Sequence, residues 1–466
     1  MFRRFFATAT KGANLVSDVV IVGGGPAGLT MASSLKNSPI LRDLSCTLIE
    51  SGDITSTLQD YYADPPETIL NRCVSITPAT IEYLDKIGAW KFVKKARTEN
   101  YDYIHTYDGL TGAAMEFDSP DMATMIENFN IQASLHQRIL ELNSEQPVNP
   151  LDLRDNTKVV KITRDPKTSW PIVQLSSGDS IKTRLLVGCD GARSPVRKFA
   201  RIESRGWAYN QWGVVATLKY KDSGFRSPTG WQRFLPTGPL AQLPFPDSWL
   251  SIVWSVPPEL AVVLVSLSDD SFVTMLNAAS RLSQEELDSL YDLARDEPEK
   301  LKEEAEWRLG LFNDNLTAEQ EEKFPPMVES LVPKSRGRFP LKLSHADDYV
   351  DERLALVGDA AHTTHPLAGQ GLNMGQADVK SLVSTLEKSR ERGLDIGSKF
   401  ALDPYYSERY PYNHAMLGVV DKIHRIYSTR SPLVVWARSL GVDALNNVPF
   451  VKDLMVGQVS HMKSTK

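Results

Sequence analysis

The sequence predicts an α/β protein. A doubly wound GxGxxG dinucleotide-binding domain, built on a parallel sheet, is interleaved with a mixed β-sheet domain and followed by C-terminal helices. Three observations predict this. Residues 18–50 read strand, glycine turn, helix, strand, acid. Two later stretches, 184–197 and 354–376, repeat the logic of an apolar strand delivering an Asp/Gly turn to a helix start. From about residue 205 the texture changes to short alternating runs between Pro/Gly turns. The expected boundaries are 18–98, 123–204 and 341–395 for the first domain, 99–122 and 205–340 for the inserted sheet domain, and 396–466 for the helical region.

Residues 1–17, MFRRFFATATKGANLVS, contain Arg3, Arg4 and Lys11 and no acid. Basic, acid-free, Ser/Thr/Ala-rich composition is that of an organellar transit peptide, with a frayed basic tail as the alternative. No apolar run of the kind a secretory signal needs follows the arginines.

Asp18–Val22 reads as a buried parallel strand, followed by Gly23-Gly24-Gly25-Pro26-Ala27-Gly28 and a helix. In this fingerprint Gly23 makes the tight turn, Gly25 lets the backbone approach a pyrophosphate, and Gly28 lets helix and strand pack closely. A second strand, Cys46–Ile49, ends in Glu50, placed to hold a ribose hydroxyl. The fingerprint alone does not distinguish FAD from NAD.

Thr77-Pro78 is an N-cap and first-turn pair for a helix over 79–88. Arg72, just before it, is either a phosphate or ring-edge contact or a surface arginine. Tyr101–Tyr107 and Ala113–Phe117 read as strands paired around Asp108-Gly109. Gln132 sits in the first turn of a helix over 130–142, facing the ligand or solvent. Val159–Thr163 and Ile172–Leu175 are strand-like. Leu185–Gly188 then delivers Asp190-Gly191 to a helix start, with Arg193 and Arg197 adding positive charge.

In the insertion, strands are expected at 213–218, 231–235, 250–254 and 262–267. Six of the nine tryptophans lie between Trp207 and Trp307, fitting either a plain core or a sheet facing a flat apolar ligand. Residues 283–308 read as a charged helical segment with Ser283 and Glu286 at capping-box spacing. Leu354–Val357 is a short buried strand ending at Gly358-Asp359. Gly369-Gln370-Gly371 opens a long helix, whose free N–H groups and dipole make an anion site. The tail shows helical apolar spacing at Leu417, Val420, Ile423 and Tyr427, then at 433–440 and 448–456. It either covers the domain junction or contacts a membrane or partner.

The whole chain of 466 residues is 42% hydrophobic with a net charge of −6. That predicts an ordinary folded core and argues against a nucleic-acid partner. No segment reaches the roughly 18 apolar residues of a membrane span. Cys46, Cys73 and Cys189 show no CxxC pairing, which fits a reducing compartment. His362 and His365 have no nearby acid at ligand spacing, so no metal is expected.

Taken together, the fingerprint with Glu50, Asp190-Gly191, and Gly358-Asp359 with Pro366 and Gly369–Gly371 resemble the single-component flavin-dependent aromatic hydroxylases, the para-hydroxybenzoate hydroxylase-like family. The runs VGGGPAGLT, SRGW, GWQRFLPTGPLA, RFPLKL and GDAAHTTHPLAGQGLNMGQ are similar to one branch of it, the mitochondrial ubiquinone (coenzyme Q) biosynthesis monooxygenases. The resemblance covers nearly the whole chain after residue 17. It implies FAD, bound by Gly23, Gly25, Ala27, Gly28, Glu50, Arg72, Gln132, Asp190, Gly358, Asp359, Gly369, Gln370, Gly371, Leu372 and Asn373. Glu50 would hold the adenosine ribose, Asp190 and Asp359 the pyrophosphate and ribityl region, and Gly369–Asn373 the flavin's pyrimidine edge. Phe234, Pro239, His365 and Pro366 are implied as substrate- or flavin-facing.

The implied activity is hydroxylation, with C5 the ring position, of a polyprenylated 4-hydroxybenzoate-type phenol in ubiquinone biosynthesis, through a flavin C4a-hydroperoxide. The chemistry needs dioxygen and no nucleophilic side chain, only positioning and exclusion of water. Implied partners are ferredoxin with its reductase, or NADPH, as electron donor, and other ubiquinone-biosynthesis proteins in a membrane-associated complex. The implied location is the matrix face of the mitochondrial inner membrane, held peripherally. Two alternatives stay open: a flavin oxidoreductase acting on a prenyl chain or quinone without oxygen, separable by oxygen-dependent turnover, and a non-catalytic flavin-bound member of the complex, separable by flavin reduction.

Overall fold

The computed structural model describes residues 14–145, 148–221 and 227–446. Two sheets organise it. The first has eight strands, and its parallel centre runs Leu354–Leu356, Ser180–Gly188, Asn14–Val22, Cys46–Ile49, Asp152–Arg154. The register is what matters for the site. Val22 lies beside Gly188 and Ile49, and Gly188 lies beside Leu356. Three turns spread over more than 300 residues of sequence therefore leave the same edge of one sheet, at the carboxyl ends of its strands, where doubly wound sheets bind ligands. The strands run as continuous apolar stretches because both faces are covered: Val19, Val20, Ile21, Leu185, Leu186, Val187 and Leu354 are fully buried.

The second sheet has ten strands, including Thr98–Asp108, Ala114–Glu127, Thr229–Leu235, Gly238–Pro244, Trp249–Val256 and Ser204–Tyr220. Four helices, Pro258–Ser266, Asp269–Arg281, Gln284–Asp296 and Pro298–Asp314, cover one face of it. They bury Leu260, Phe272, Leu276, Leu287 and Leu301 against Leu235, Leu240 and Trp254. The opposite face looks back at the first sheet. The helices Gln370–Glu391 and Lys399–Tyr427 pack across the junction, and Pro432–Asn446 closes the described chain.

Several expectations need correction. The first strand begins at Asn14, with Asn14–Ser17 in register with Ser180–Thr183, so the last four residues of the expected transit segment belong to the sheet. Residues 1–13 lie outside the described residues, as do 448–456. The interleaving is finer than the boundaries suggested. Cys73–Ile76 pairs with Ala114–Glu127, which runs straight across the 122/123 boundary, and Gly337–Ala346 and His362–Thr363 also join the second sheet.

The expected strand at 262–267 is a helix, Pro258–Ser266. Pro258 starts it at the first turn, and Leu260, Ala261 and Leu264 share a buried face while Val262 is 48% exposed. Strand preference spans about 1 kcal/mol, whereas burying one leucine contributes about 1.5–3 kcal/mol, so packing overrides the valine-rich local signal. Asp269–Arg281 was not anticipated. The 283–308 segment is two helices broken at Glu297-Pro298, the first with the expected capping box.

Candidate active site

A cavity of about 980 Å³ lies between the two sheets. One end is walled by Gly25, Pro26, Ala27, Gly191, Val357, Gly358 and Asp359, the middle by Pro366, Leu367, Gly369, Gln370, Gly371 and Leu372, and the far end by the inner face of the second sheet. The three sequence anchors thus line one space.

The fingerprint behaves as its spacing required. Gly23 has φ +106°, and a Cβ there would lie 2.3 Å from the Cys189 carbonyl oxygen. A Cβ on Gly28 would lie 1.8 Å from the Gly23 oxygen. At Gly25 a Cβ meets nothing within 4 Å, because the residue faces the cavity. Structural glycines and a ligand-facing glycine are thereby separated. Glu50 accepts hydrogen bonds from the Gly24 N–H at 2.6 Å and the Gly52 N–H at 2.9 Å, which fixes the carboxylate beside the turn. Gln132 donates to the Gly24 carbonyl at 3.3 Å and steadies the same turn.

The acids divide by environment. Asp190 accepts from the Val196 N–H at 3.0 Å through one oxygen, while its other oxygen is buried without a partner. Burial raises its pKa, partly opposed by Ser194, the Val196 N–H and Arg197. Asp359 sits deep in the molecule, yet its side chain is accessible because it opens into the cavity. Burial raises its pKa, against a smaller pull from His362 and Lys342. Asp190 thus keeps one oxygen without a protein donor, while the Asp359 carboxylate faces the cavity.

The helix Gln370–Glu391 begins at Gly369, which takes a left-handed φ of +60°. Its first turn points into the cavity. Asn373 holds it there: its side chain donates to the Ser75 carbonyl at 2.9 Å and accepts from the Thr77 N–H at 3.1 Å and the Thr80 hydroxyl at 2.8 Å. Asn373 is buried and its side chain is fully engaged, so its contribution is to fix the helix start.

The far end of the cavity is apolar. Ile104, Met115, Phe117, Gly230, Phe234, Ala241, Leu243 and Val253 line it. Phe234 stacks on Tyr427 at 4.0 Å between ring centres and 22° between planes.

His365, Pro239, Arg72, Arg233 and His362 are not brought to this wall. His365 is fully buried behind the loop, where its Nδ1 accepts the Leu367 N–H at 3.1 Å and its ring packs edge-on to Tyr209. Burial pushes its pKa down to about 3, with a further push from His424. Pro239 lies opposite Phe234 in the strand pair but off the cavity. Arg72 is exposed beside Cys73. Arg233, a possible carboxylate anchor by type, points to the helical layer, donating to Leu282 at 2.7 Å and Ala279 at 3.0 Å. His362 is committed to Asp378 at 2.5 Å. Burial would raise Asp378, but His362 and Arg409 hold it down at about 2.

Sequence reasoning missed Asp108, Tyr427 and Arg438, all on the cavity wall. The one available signal was Arg438, a lone cation inside an apolar run.

The cavity fits FAD on three features of the chain itself: the open space at Gly25, the Asp359 carboxylate that opens into it, and the helix start at Gly369. Comparison with known proteins agrees. The family model described as "FAD binding domain" matches residues 16–237 and 295–419. Ubiquinone biosynthesis monooxygenase COQ6, mitochondrial, of Saccharomyces cerevisiae is 47% identical over 461 residues, covering 97% of this chain and 95% of that protein. The Homo sapiens protein of that name is 33% identical, covering 98% and 95%. Among solved structures, p-nitrophenol 4-monooxygenase PnpA of Pseudomonas putida aligns at TM-score 0.65 over 97% of this chain and 100% of that one, at 17% identity. PqsL of Pseudomonas aeruginosa, a probable FAD-dependent monooxygenase, aligns at 0.63 over 92% and 100%, at 19% identity. At those identities the two structures speak for the fold. Cavity, anchors and relatives converge: the chain is an FAD-dependent monooxygenase and belongs to the family of the ubiquinone biosynthesis monooxygenase COQ6.

Proposed function

We propose that this protein hydroxylates the aromatic ring, at C5, of a polyprenylated 4-hydroxybenzoate-type intermediate of ubiquinone biosynthesis, in mitochondria, held peripherally at the matrix face of the inner membrane. The observation that carries the reading is the division of one cavity into a polar anchor end and an apolar end. The first suits a dinucleotide; the second suits a ring with a hydrocarbon tail. The relatives in this family are named mitochondrial and named for ubiquinone biosynthesis.

Bound FAD, once reduced, supplies activation of dioxygen, one atom of which goes to the ring and the other to water. The chain supplies the setting. Gly25 and Ala27 would let backbone approach the pyrophosphate, Glu50 would hold the ribose, and Asp190 and Asp359 would accept hydrogen bonds between them. The first N–H groups of the Gln370–Glu391 helix favour negative charge gathering beside Gly369–Leu372. Pro366 and Leu367 border the same space. Phe234, Ile104 and Leu243 would hold the ring's surroundings dry. Electrons would come from ferredoxin and its reductase or from NADPH, and other ubiquinone-biosynthesis proteins would share the assembly. A targeting segment would end no later than Asn14, where the sheet begins.

The test is a null strain complemented with this chain under oxygen-18 gas. The null should accumulate a prenylated ring lacking one hydroxyl, and the restored hydroxyl should carry the label. Label drawn from water, or normal ubiquinone in the null, would overturn the reading.

A further inference from the structure

The last described helix, Pro432–Asn446, has two unlike faces. Leu433, Trp436 and Leu440 stand 79%, 65% and 48% exposed. Their i, i+3, i+7 spacing puts them on one side. The other side carries Arg438 and Val442, both buried and both on the cavity wall. Two more wall residues, Gly441 within this helix and Ile426 near the end of the preceding one, are solvent-exposed, which puts the mouth of the cavity beside the apolar face. From Lys422 to Val442 the chain carries Lys422, Arg425, Arg430 and Arg438 and no carboxylate. Arg438 is spent on Asp108 inside; Arg425 pairs with Asp421 and Arg430 with Asp288 at the surface, and Lys422 is exposed.

An apolar stripe with tryptophan at its centre and cations at its edge is the composition that settles at a bilayer surface. Leucines enter the headgroup–acyl boundary, tryptophan prefers that interface, and cations meet anionic headgroups. No described helix is long and apolar enough to cross a membrane, so the contact would lie on the bilayer. A protein partner would have no need of an opening at this place. We propose that the Leu433/Trp436/Leu440 face docks this protein on an anionic phospholipid bilayer and sets the Ile426–Gly441 opening against the lipid. A prenyl-tailed substrate then passes from bilayer to cavity without entering water. The docking stands on this geometry; the identity of the passenger rests on the proposed ring hydroxylation.

The experiment uses the full-length, flavin-loaded protein and vesicles of phosphatidylcholine with phosphatidylglycerol. Cosedimentation should be strong, weaker on pure phosphatidylcholine, and weaker in high salt. The exposed-face triple variant L433S/W436S/L440S should lose roughly tenfold or more in vesicle affinity, with unchanged flavin content and melting temperature. Wild-type tryptophan emission should shift to shorter wavelength on vesicles, and that of W436F should shift less. Absence of vesicle binding, or a triple variant that binds like wild type, overturns the proposal, as does a face covered by another protein when vesicles are present. Vesicle binding that survives alongside failure to hydroxylate any prenylated ring would sink the substrate reading and leave the docking standing.

Discussion

Asp108 and Arg438, 330 residues apart, form a two-pronged buried ion pair, with Nε 2.6 Å from one carboxylate oxygen and a terminal nitrogen 2.9 Å from the other. Both side chains are essentially inaccessible. Arg438 also lies over the Tyr427 ring at 5.0 Å and donates to the Ile426 carbonyl at 2.9 Å. The pair therefore ties the last described helix to the end of a strand in the second sheet and keeps one wall of the cavity in place.

Breaking one member should be costly, because it strands a buried charge. Asp108→Ala should destabilise by about 3–5 kcal/mol. The double variant D108A/R438A should recover part of that loss. Thermal unfolding of the singles and the double gives the coupling directly. Additivity of the two single effects would show that the ion pair does not hold the helix.

The glycines make a sharper prediction than a motif match can. Gly25→Val has room for its side chain in the protein and none once a pyrophosphate occupies the same space. It should fold and purify colourless. Gly28→Ala meets the Gly23 carbonyl and should fail to fold. Circular dichroism with flavin absorbance separates the two outcomes, and a yellow Gly25→Val protein would remove the fingerprint from the cofactor site.

Asp359 trades stability for binding. Its folded pKa is raised, chiefly by burial, so the ionised form is disfavoured in the folded protein at neutral pH. The sign follows: the destabilisation is complete above the raised folded pKa, fades as pH falls toward the unfolded pKa, and is gone below it. Asp359→Asn should melt higher than wild type when both are stripped of flavin. It should also bind FAD more weakly, by about 1.5–3 kcal/mol for a lost charged hydrogen bond. A variant lower on both counts would mean that the carboxylate is structural.

The acid limb of stability should report on the buried histidines. His365 is pushed down to about 3 and His345 to about 4, both first by burial. An unfolded histidine titrates near 6.5. Between those values the unfolded chain binds more protons, so stability must fall as pH drops from about 6.5 toward 3. His365→Asn keeps an acceptor for the Leu367 N–H and removes the titration. Its melting temperature should decline less steeply over that window than the wild type's, with the His345 share remaining. Parallel curves would show that His365 is not buried in its neutral form.

Much of the cofactor half of the site was legible in the sequence because its requirements are local. A turn, a close backbone approach and a helix start each dictate residue types at fixed offsets, so Gly23, Gly25, Gly28 and Gly369 announce themselves. What convergence adds is register, and apolar strands of the Leu185–Val187 kind signal that they are buried without saying which strand lies beside which. The substrate half was harder to read. Phe234 and Arg233 are neighbours, and both are residue types that suit a ligand, yet strand alternation sends Phe234 to the cavity and Arg233 to the helices. That choice depends on which face the four helices cover, and those helices were partly hidden: Val262 to Leu267 carries strand-forming residues and folds as helix under the pressure of burial. Asp108 read as a turn residue because its partner, Arg438, comes from the far end of the chain.

Phe234 offers the most direct test of the apolar end. It stacks on Tyr427 and projects from a strand whose backbone is fixed by pairing on both sides. Replacing it with alanine should cost about 3–5 kcal/mol of stability while leaving flavin content at one per chain. Phe234→Leu keeps most of the volume and should cost less than about 1.5 kcal/mol. If the ring lies where the two sheets face each other, hydroxylated product should fall steeply in Phe234→Ala and only modestly in Phe234→Leu, with the bleached-flavin spectrum under reduction the same in both. Product should fall further in Phe234→Glu, because the charge would be set against Ile104 and Leu243 in a dry wall. Flavin content, melting temperature and product yield measured together decide the matter: a yellow, folded Phe234→Glu protein with undiminished turnover would move the substrate out of this end of the cavity.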